Sequence, residues 1–546
     1  MLALLAALTV AVDTAHLVVV ATTDVHGRVT AWDYEADGRA PLGLTRLASL
    51  VDSLRRTHPG RVLVVDAGDL IQGNPFATYL ATVALQDPHP ILDAMNAIGY
   101  DAATPGNHDF NFGLEVMRRS LGSASFPYVS ANILRVVDRR PVFPRYVLLE
   151  RAGVRIGVLG LTTPGVMVWD GKLVAGHVSV ERTAAMAAPA LATLSRAGAD
   201  LLIAIIHAGI GSRSSYDTAG IGAENSAEAL AGLPVRPDVV VVGHSHRAIA
   251  DSIIGGVHFV QPRQWAQAAT VTHVFLERRG ARWRVTQIRG DLVDLGQMAP
   301  ATRLTARLEP VHQAVRDWAA APIGEAVGDF DATYARAEDS PVIDFVNAVQ
   351  QDATGAELSA TAAFNPAAGF GEGPVRLRDV AALYPYENTL RAVRISGRLL
   401  RAYLEQSAMF FRSYPFEGSP IDPAVPGYNF DIVSGVEYVI DLSRPPGERI
   451  QALSRAGRPV EPTDTFTLAL NSYRQAGGGG FTMLAGLAVV YDRGENVRDL
   501  LLEAIRQRRV IRAHEVFESS WRIEPTEAAE AVREHFRRAR RRLRRR

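Results

Sequence analysis

Short apolar runs alternate with helical stretches along the first half of the chain, from His16 to about Gln297. Five runs rich in Val, Ile and Leu end abruptly in polar residues, at 16–21, 61–66, 154–161, 201–207 and 239–243. Continuous apolar runs of this length are typical of strands that are covered on both faces. The segments 43–56 and 180–196 carry helical periodicity. The pattern therefore predicts an α/β architecture of layered helices and sheet.

The pattern changes near residue 301. Leu304, Leu308, Val311 and Val315 are spaced for one face of an amphipathic helix over 301–322, which we interpret as the link between two domains. The following segment mixes predicted helices with predicted strands. The helices are at 341–354 and 398–409, and the strands at 433–441 and 465–470. We therefore expect domains at 16–300 and 323–523, with the linker helix between them.

Composition limits the chemistry more than it limits the fold. The chain has 546 residues, more than one hydrophobic core usually serves, and its formal net charge is zero. It has no cysteine, which excludes disulfides, thiolate metal sites and a cysteine nucleophile. Any metal must therefore be held by His, Asp, Glu or Asn side chains.

Both ends of the chain differ in composition from the rest. Residues 1–15 form a short apolar run followed by small residues, which resembles a secretory signal with cleavage after Ala15. We expect a periplasmic, extracellular or cell-surface protein, and a cytoplasmic one if this segment is not a signal. Residues 524–546 form a helix-prone tail whose last fourteen residues include nine Arg. Most such runs are solvated, and peripheral contact with an anionic surface is the functional alternative.

Polar clusters follow the apolar runs of the first domain with unusual regularity. Because the carboxyl ends of strands in an open α/β sheet form its ligand-binding edge, these clusters should converge. The residues concerned are Asp24 and His26, Asp66 with Gly68 and Asp69, the run Gly106-Asn107-His108-Asp109, His207, and the run Gly243-His244-Ser245-His246.

The residue types in these clusters suit two divalent cations. Carboxylate, imidazole and amide oxygen are ligands for Mn²⁺, Zn²⁺ or Fe. One carboxylate must bridge two cations that lie about 3.5–4 Å apart, and Asp69 is the best candidate because Gly68 lets the backbone approach closely. Such a pair of cations activates a water molecule and holds the oxygens of an in-line displacement at phosphorus. Each cluster alone would be ordinary turn chemistry, whereas five in order predict a two-metal site.

The ordered clusters resemble the signature of calcineurin-like metallophosphoesterases, and the second domain resembles the substrate domain of the 5′-nucleotidase family. The resemblance implies an N-terminal layered αββα domain and a C-terminal α/β substrate domain joined by the helical linker. It also implies ligands for two metal ions, with Asp69 shared, and a catalytic role for His108, which either stabilises the transition state or protonates the leaving oxygen. The first ligand set is Asp24, His26, Asp69 and His246, and the second is Asp69, Asn107, His207 and His244.

Asn111 distinguishes between branches of this superfamily. The 5′-nucleotidases typically carry Asp three residues after the catalytic histidine, where this chain has Asn111. Asparagine at this position resembles the bacterial bifunctional 2′,3′-cyclic-nucleotide 2′-phosphodiesterase/3′-nucleotidases. An amide orients an imidazole by a hydrogen bond but supplies no charge, so the histidine should be less basic than beside Asp.

Two loops of the second domain resemble the base-binding loops of the same branch. Tyrosines on loops can stack on both faces of a nucleobase, and a run of four glycines lets the backbone approach a ligand. The predicted substrate-binding residues are Tyr428, Asn429, Tyr473, Gly478 and Phe481.

The sequence thus predicts a two-metal hydrolase that opens 2′,3′-cyclic nucleotides to 3′-nucleotides and converts 3′-nucleotides to nucleosides. No polymeric nucleic acid is expected as a partner. Two alternatives remain at this point. One is a 5′-nucleotidase or nucleotide-sugar hydrolase with the same site, and the other is a surface binding protein with a degenerate catalytic domain.

Overall fold

The computed structural model describes residues 13–211 and 223–543, with side chains described as far as Arg541. The predicted signal segment, 1–15, lies almost wholly outside the described residues. The chain divides into two compact units, the first running to His312 and the second beginning at Gln313. The short segments 34–37 and 73–75 are grouped with the second unit. The boundary falls inside the helix Thr302–Ala320, which occupies the predicted linker.

The first unit contains fifteen of the described strands and most of eight helices. The strands are β1 (Thr14–Thr22), β2 (Trp32–Asp33), β3 (Gly38–Arg39), β4 (Val62–Asp66), β5 (Ala102–Ala103), β6 (Ile133–Arg135), β7 (Tyr146–Arg151), β8 (Val154–Thr162), β9 (Val178–Val180), β10 (Leu201–His207), β11 (Val239–Val242), β12 (Ile249–Ile254), β13 (Val257–Gln261), β14 (Ala268–Arg279) and β15 (Arg282–Asp294). The helices are α1 (Leu44–Thr57), α2 (Pro75–Thr82), α3 (Pro90–Ile98), α4 (Gly113–Leu121), α5 (Val166–Trp169), α6 (Gly171–Val174), α7 (Thr183–Arg196) and α8 (Thr302–Ala320).

Two sheets form the centre of this unit. One has the strand order β15-β14-β1-β4-β5 and the other β12-β13-β11-β10-β8-β7. Their facing residues, such as Val19 and Val65 from one sheet and Val158 and Ile205 from the other, form a single buried core. Helix α7 covers the outer face of the second sheet and α1 packs against β4. The predicted αββα layering is therefore confirmed.

Parallel pairing brings the predicted ligand clusters to the same ends of the strands. Strands β1, β4 and β5 are parallel neighbours in one sheet, and β8, β10 and β11 are parallel neighbours in the other. The polar clusters that follow β1, β4, β5, β10 and β11 therefore lie at the carboxyl ends of strands, where ligands bind in open α/β sheets.

The second unit contains fourteen described strands and seven helices. The strands are β16 (Pro322–Val327), β17 (Phe330–Asp331), β18 (Leu358–Ala362), β19 (Gly369–Phe370), β20 (Gly373–Arg376), β21 (Leu390–Ser396), β22 (Asp431–Ser434), β23 (Glu437–Asp441), β24 (Ile450–Arg455), β25 (Arg458–Pro459), β26 (Thr465–Asn471), β27 (Val489–Tyr491), β28 (Val510–Arg512) and β29 (Trp521–Glu524). The helices are α9 (Pro341–Thr354), α10 (Leu377–Leu383), α11 (Gly397–Ala408), α12 (Ser472–Gln475), α13 (Val497–Arg508), α14 (Ala513–Val516) and α15 (Thr526–Leu543).

The largest sheet of the second unit has the strand order β22-β18-β26-β21-β27. A single core of buried side chains joins this sheet to its helices. Helix α15 belongs to that core, because Ala528, Val532 and Phe536 are buried within it. The first part of the predicted tail is thus packed structure, and the Arg-rich part continues the same helix as far as Leu543.

One predicted strand was wrong. The segment 433–441 is not one strand but the end of β22 and the whole of β23, separated at Gly435. Gly435 has φ of +93°, a conformation that breaks an extended run. The long hairpin of β14 and β15, which extends the first sheet, was not predicted at all. Among the described residues, no helix combines the length and apolarity that a bilayer crossing needs.

Candidate metal centre and nucleoside-binding loops

A first group of candidate ligands comes from the loops after β1 and β11. The ligand atoms of Asp24, His26 and His246 all lie within 4.8 Å of one another. His246 Nε2 is 3.3 Å from Asp24 Oδ1 and 3.2 Å from His26 Nε2. His26 and Asp24 are buried, whereas the side chain of His246 is 40% exposed. This group is therefore open on one side.

A second group lies next to the first and shares carboxylates with it. Asp69 Oδ2 is 3.1 Å from His207 Nε2 and 3.8 Å from His26 Nε2, so one oxygen of Asp69 lies between the two groups. Asn107 Oδ1 lies 3.1 Å from His207 Nε2 and 2.9 Å from His244 Nδ1. All seven predicted ligands are thus brought together, and Asp69 is adjacent to both groups.

The hydrogen bonds around the histidines test whether this cluster fits cations. His26 Nδ1 donates to the carbonyl of Gln72, and His207 Nδ1 donates to the carbonyl of Ala67. His244 Nε2 donates to Glu224. A neutral imidazole whose one N–H is already used presents a lone pair at its other nitrogen. These lone pairs face oxygen atoms of Asp69 and Asn107, an arrangement that is repulsive unless positive charge lies between them.

The pKa values of Asp24 and His207 also indicate that the cluster favours a positive charge. Burial opposes the charge on Asp24, but the nearby His246 outweighs burial and holds the pKa of Asp24 at about 2. Burial also opposes the charge on His207, yet the carboxylate of Asp69 raises the pKa of His207 to about 10. The pKa of His26 is lowered to about 4, chiefly by burial, so this ring stays neutral and keeps a lone pair for a cation. The donor set therefore fits two divalent cations.

The backbone at the candidate ligands is unusual. Asp24, His26, Asp69, His244 and His246 all have φ between +48° and +72°. The left-handed region costs a residue with a side chain about 1–2 kcal/mol, and such strain concentrates at functional sites. Five strained residues in one cluster indicate that the surrounding structure holds these side chains in place.

Glycines allow the ligand loops to approach one another. A Cβ on Gly106 would lie 2.1 Å from Asp69 Oδ1, and a Cβ on Gly68 would lie 2.5 Å from the Gly106 nitrogen. Both distances are far shorter than atoms tolerate. The two loops can therefore touch only because both residues are glycine.

The structure adds residues that the sequence analysis did not assign. The buried carboxylate of Asp109 accepts hydrogen bonds from the backbone nitrogens of Asp69, Leu70, Ile71 and Gly106, and so ties two ligand loops together. Glu224 accepts from His244, and the ring of Trp169 stacks on His244 at 5.5 Å. Asp109 belongs to the run Gly106-Asn107-His108-Asp109, whereas no sequence pattern indicates a role for Glu224 or Trp169.

His108 and Asn111 lie beside this cluster, in and just after a short 3₁₀ turn, His108–Phe110. His108 Nδ1 donates to Asn111 Oδ1 at 2.7 Å, and the backbone nitrogen of His108 donates to Asp69 Oδ1. Among the described residues, the other ring nitrogen of His108 has no hydrogen-bond partner. The pair therefore has the contact that an oriented proton donor needs.

In the second unit, one arginine connects all five predicted substrate residues. The Arg474 guanidinium donates to the carbonyls of Tyr428 and Gly478 and to Asn429 Oδ1. It also lies over the rings of Tyr473 and Phe481, 5.6 and 4.1 Å from their centroids. These loops lie at the start of β22 and the end of β26, on either side of β18.

The exposure of the five residues differs. Tyr428 is 40% exposed, and Tyr473 and Asn429 are half-buried. Phe481, by contrast, is fully buried and packs against Tyr403 as well as Arg474. The structure thus places Phe481 beneath the loop, where it supports Arg474, and not on the loop surface. Gly478 is also buried, and its carbonyl accepts from Arg474.

A buried ion pair holds Arg474 in place. Asp431 accepts from Arg474 through both oxygens, at 2.7 and 2.9 Å, and the two side chains are 4% and 1% exposed. Burial opposes the charge on Arg474, but the attraction of Asp431 raises its pKa above the ordinary value. Two parallel hydrogen bonds of this kind fix direction as well as distance.

Comparison with known proteins identifies both units. Residues 17–248 match the calcineurin-like phosphoesterase family, and residues 322–486 match the 5′-nucleotidase C-terminal domain. The 2′,3′-cyclic-nucleotide 2′-phosphodiesterase/3′-nucleotidase of Salmonella typhimurium is 31% identical, over 97% of this chain and 92% of that protein. The trifunctional nucleotide phosphoesterase YfkN of Bacillus subtilis is 29% identical, and the match spans 39% of its length.

A solved structure shows the same fold. The 5′-nucleotidase precursor from Thermus thermophilus superposes with a TM-score of 0.64 at 22% identity, covering 93% of this chain and all of that one. The predicted resemblance is confirmed. The chain belongs to the calcineurin-like phosphoesterases that carry a 5′-nucleotidase C-terminal domain, and it is a metal-dependent phosphoesterase.

Proposed function

We propose that this protein hydrolyses 2′,3′-cyclic nucleotides to 3′-nucleotides and then 3′-nucleotides to nucleosides. The observation that carries the proposal is the contact of His108 with Asn111, at 2.7 Å, beside the seven-ligand cluster. The similarity to the Salmonella typhimurium enzyme of that name supports the same specificity.

The ligand cluster supports the choice of reaction. Two divalent cations, Mn, Zn or Fe, would be held by Asp24, His26, Asp69 and His246 and by Asp69, Asn107, His207 and His244. When bound, such ions supply an activated water and hold the phosphoryl oxygens. His108, oriented by Asn111, holds a proton at Nε2 for the departing sugar oxygen. The filled ligand set argues against a degenerate binding protein.

The loops of the second unit support a nucleoside as the leaving group. Tyr428 and Tyr473 are the exposed and half-exposed aromatic rings on loops that Arg474 ties together. Base stacking on an aromatic ring contributes about 1–3 kcal/mol and accepts any base. We therefore propose that these loops bind the nucleoside, with Asn429 at the edge of the base.

A three-substrate assay with metal analysis tests this proposal. The purified protein should hydrolyse 2′,3′-cyclic AMP and 3′-AMP at least tenfold more efficiently, by kcat/KM, than 5′-AMP or a nucleotide sugar. It should contain about two equivalents of Mn, Zn or Fe by mass spectrometry, and lose activity on chelation. A preference for 5′-AMP would support the 5′-nucleotidase alternative, and a metal-free inactive protein would support the binding protein.

We also propose a periplasmic or cell-surface location, based on the signal-like residues 1–15, and contact between the Arg-rich end of α15 and anionic surfaces. Several arginines there already pair with acids: Arg533 with Glu338, Arg540 with Asp331, and both Arg537 and Arg538 with Glu534. The contact would therefore be weak and electrostatic.

Vesicle binding tests the proposed surface contact. The full chain should bind vesicles rich in anionic lipid at low salt and release them at about 0.5 M salt, since screening shortens the reach of charge. A chain that ends at Arg538 keeps the buried residues Ala528, Val532 and Phe536 and should not bind. Equal binding by both chains would contradict the proposed surface contact. The proposed export has a separate test, and recovery of the cell-associated protein from the cytoplasm would contradict it.

A further inference from the structure

Asp170 is a buried carboxylate behind the His108–Asn111 pair. It lies between α5 and α6, is 8% exposed, and its Oδ1 accepts a hydrogen bond from Asn111 Nδ2 at 2.8 Å. Asn111 Oδ1 in turn accepts from His108 Nδ1 at 2.7 Å. The three side chains therefore form a continuous chain that runs from the carboxylate to the imidazole.

The direction of these hydrogen bonds follows from the carboxylate. An ionised carboxylate only accepts hydrogen bonds, so Asn111 must turn its NH₂ group toward Asp170. The carbonyl oxygen of the same amide then faces His108, and Nδ1 of that ring must carry a proton to donate to it. Without Asp170, the amide of Asn111 could rotate and present its NH₂ group to the ring, which would remove the acceptor for Nδ1–H and release the ring from this orientation.

Burial of Asp170 lowers the stability of the fold, because only one of its two oxygens accepts a hydrogen bond from a described residue. Its second oxygen, Oδ2, is buried and has no hydrogen-bond partner among the described residues. Burial raises the pKa of Asp170 to about 6, so the group is mostly ionised at neutral pH. A buried carboxylate with one free oxygen destabilises a fold, and such groups are found at functional sites.

We propose that Asp170 is a positioning residue for His108, acting through Asn111 to fix the orientation of the ring. The inference rests on the proposed role of His108 in protonating the leaving oxygen. It adds to that role a side chain separated from His108 by 62 positions in the sequence.

Leaving-group dependence tests this inference. The substrates are 3′-AMP, whose sugar oxygen needs a proton to leave, and p-nitrophenyl phosphate, whose phenolate leaves without one. Asp170→Ala should lower kcat on 3′-AMP by about 10- to 100-fold, within the range for loss of a group that orients a catalytic side chain. On p-nitrophenyl phosphate the loss should be less than about threefold, and KM and metal content should be unchanged.

Two further variants separate positioning from structure. Asp170→Asn keeps an acceptor for Asn111 Nδ2 and should retain more activity than Asp170→Ala. Adding Asn111→Asp to Asp170→Ala restores a charge next to His108 and should recover about tenfold of the lost kcat on 3′-AMP. Asp170→Asn should melt no lower than the wild type, because it removes a buried charge and keeps an acceptor for Asn111.

The matched control is Asp238→Asn, at another largely buried carboxylate, which accepts from the backbone nitrogen of Leu202. This change should leave the ratio of the two activities at the wild-type value. Equal losses on both substrates in Asp170→Ala, or lost metal, would overturn the inference. If wild-type protein did not hydrolyse 3′-AMP, the proposed function would fail. Wild-type-like kinetics in Asp170→Ala would reject the positioning role alone.

Discussion

Replacement of His207 by alanine is expected to lower kcat on every phosphoester substrate by about three orders of magnitude or more, which corresponds to about 4 kcal/mol of activation free energy. His207 is fully buried, and its Nε2 lies 3.1 Å from both Asp69 and Asn107. Its loss removes one ligand and leaves the acceptors around it without a cation at the second position. Kinetics on 3′-AMP and p-nitrophenyl phosphate, with metal content measured on the same samples, check this result.

Two further variants test whether the loss of activity comes from the second metal position. Asn107→Ala should have the same effect as His207→Ala, because Asn107 faces the same position from a different loop. His177→Ala is the control, since His177 is exposed and lies outside the cluster. A folded His207→Ala protein with full metal content and wild-type turnover would remove the basis of the metal assignment.

Arg474→Lys is expected to raise KM for nucleotides by about 5- to 150-fold, the equivalent of about 1–3 kcal/mol of lost base stacking. Lysine keeps a charge opposite Asp431 but lacks the planar fork that reaches Tyr428, Asn429 and Gly478 together. The stacking loops should therefore lose their fixed spacing. Activity on p-nitrophenyl phosphate, which has no nucleoside, should change less than about threefold.

The control for Arg474 is a surface pair of the same residue types. Arg444 pairs with Asp441, and their side chains are 48% and 20% exposed. Exposed ion pairs contribute little, so Arg444→Lys should leave KM unchanged. Unchanged KM for 3′-AMP in Arg474→Lys would contradict the role of this arginine, whereas parallel losses on both substrates would indicate general damage to the protein.

Much of the first unit could be predicted because its signals are local. Strand β10 has the predicted bounds, and β1, β4, β8 and β11 differ from the predicted runs by no more than two residues at either end. A strand buried on both faces must be apolar throughout its length, so its sequence marks its extent. The ligand clusters were visible for a related reason, since each stands directly after such a strand.

Other elements gave weak signals. The hairpin of β14 and β15 has alternating and partly exposed positions, and its pairing joins the edge of the sheet from a distance along the chain. The break at Gly435 depends on one backbone angle. Neither feature leaves a continuous apolar run, which is why the periodicity of the sequence did not separate or reveal these strands.

By itself the sequence determined the layered α/β fold, the family and the identity of side chains able to hold two cations. Tertiary structure alone decided that Arg474 contacts five residues on two loops, that Phe481 faces inward, and that Asp170 lies behind Asn111. The physical reason is that residues next to one another in the sequence determine whether a strand is buried and where it ends. A hydrogen bond between residues 43 or 59 positions apart depends instead on how the folded loops meet.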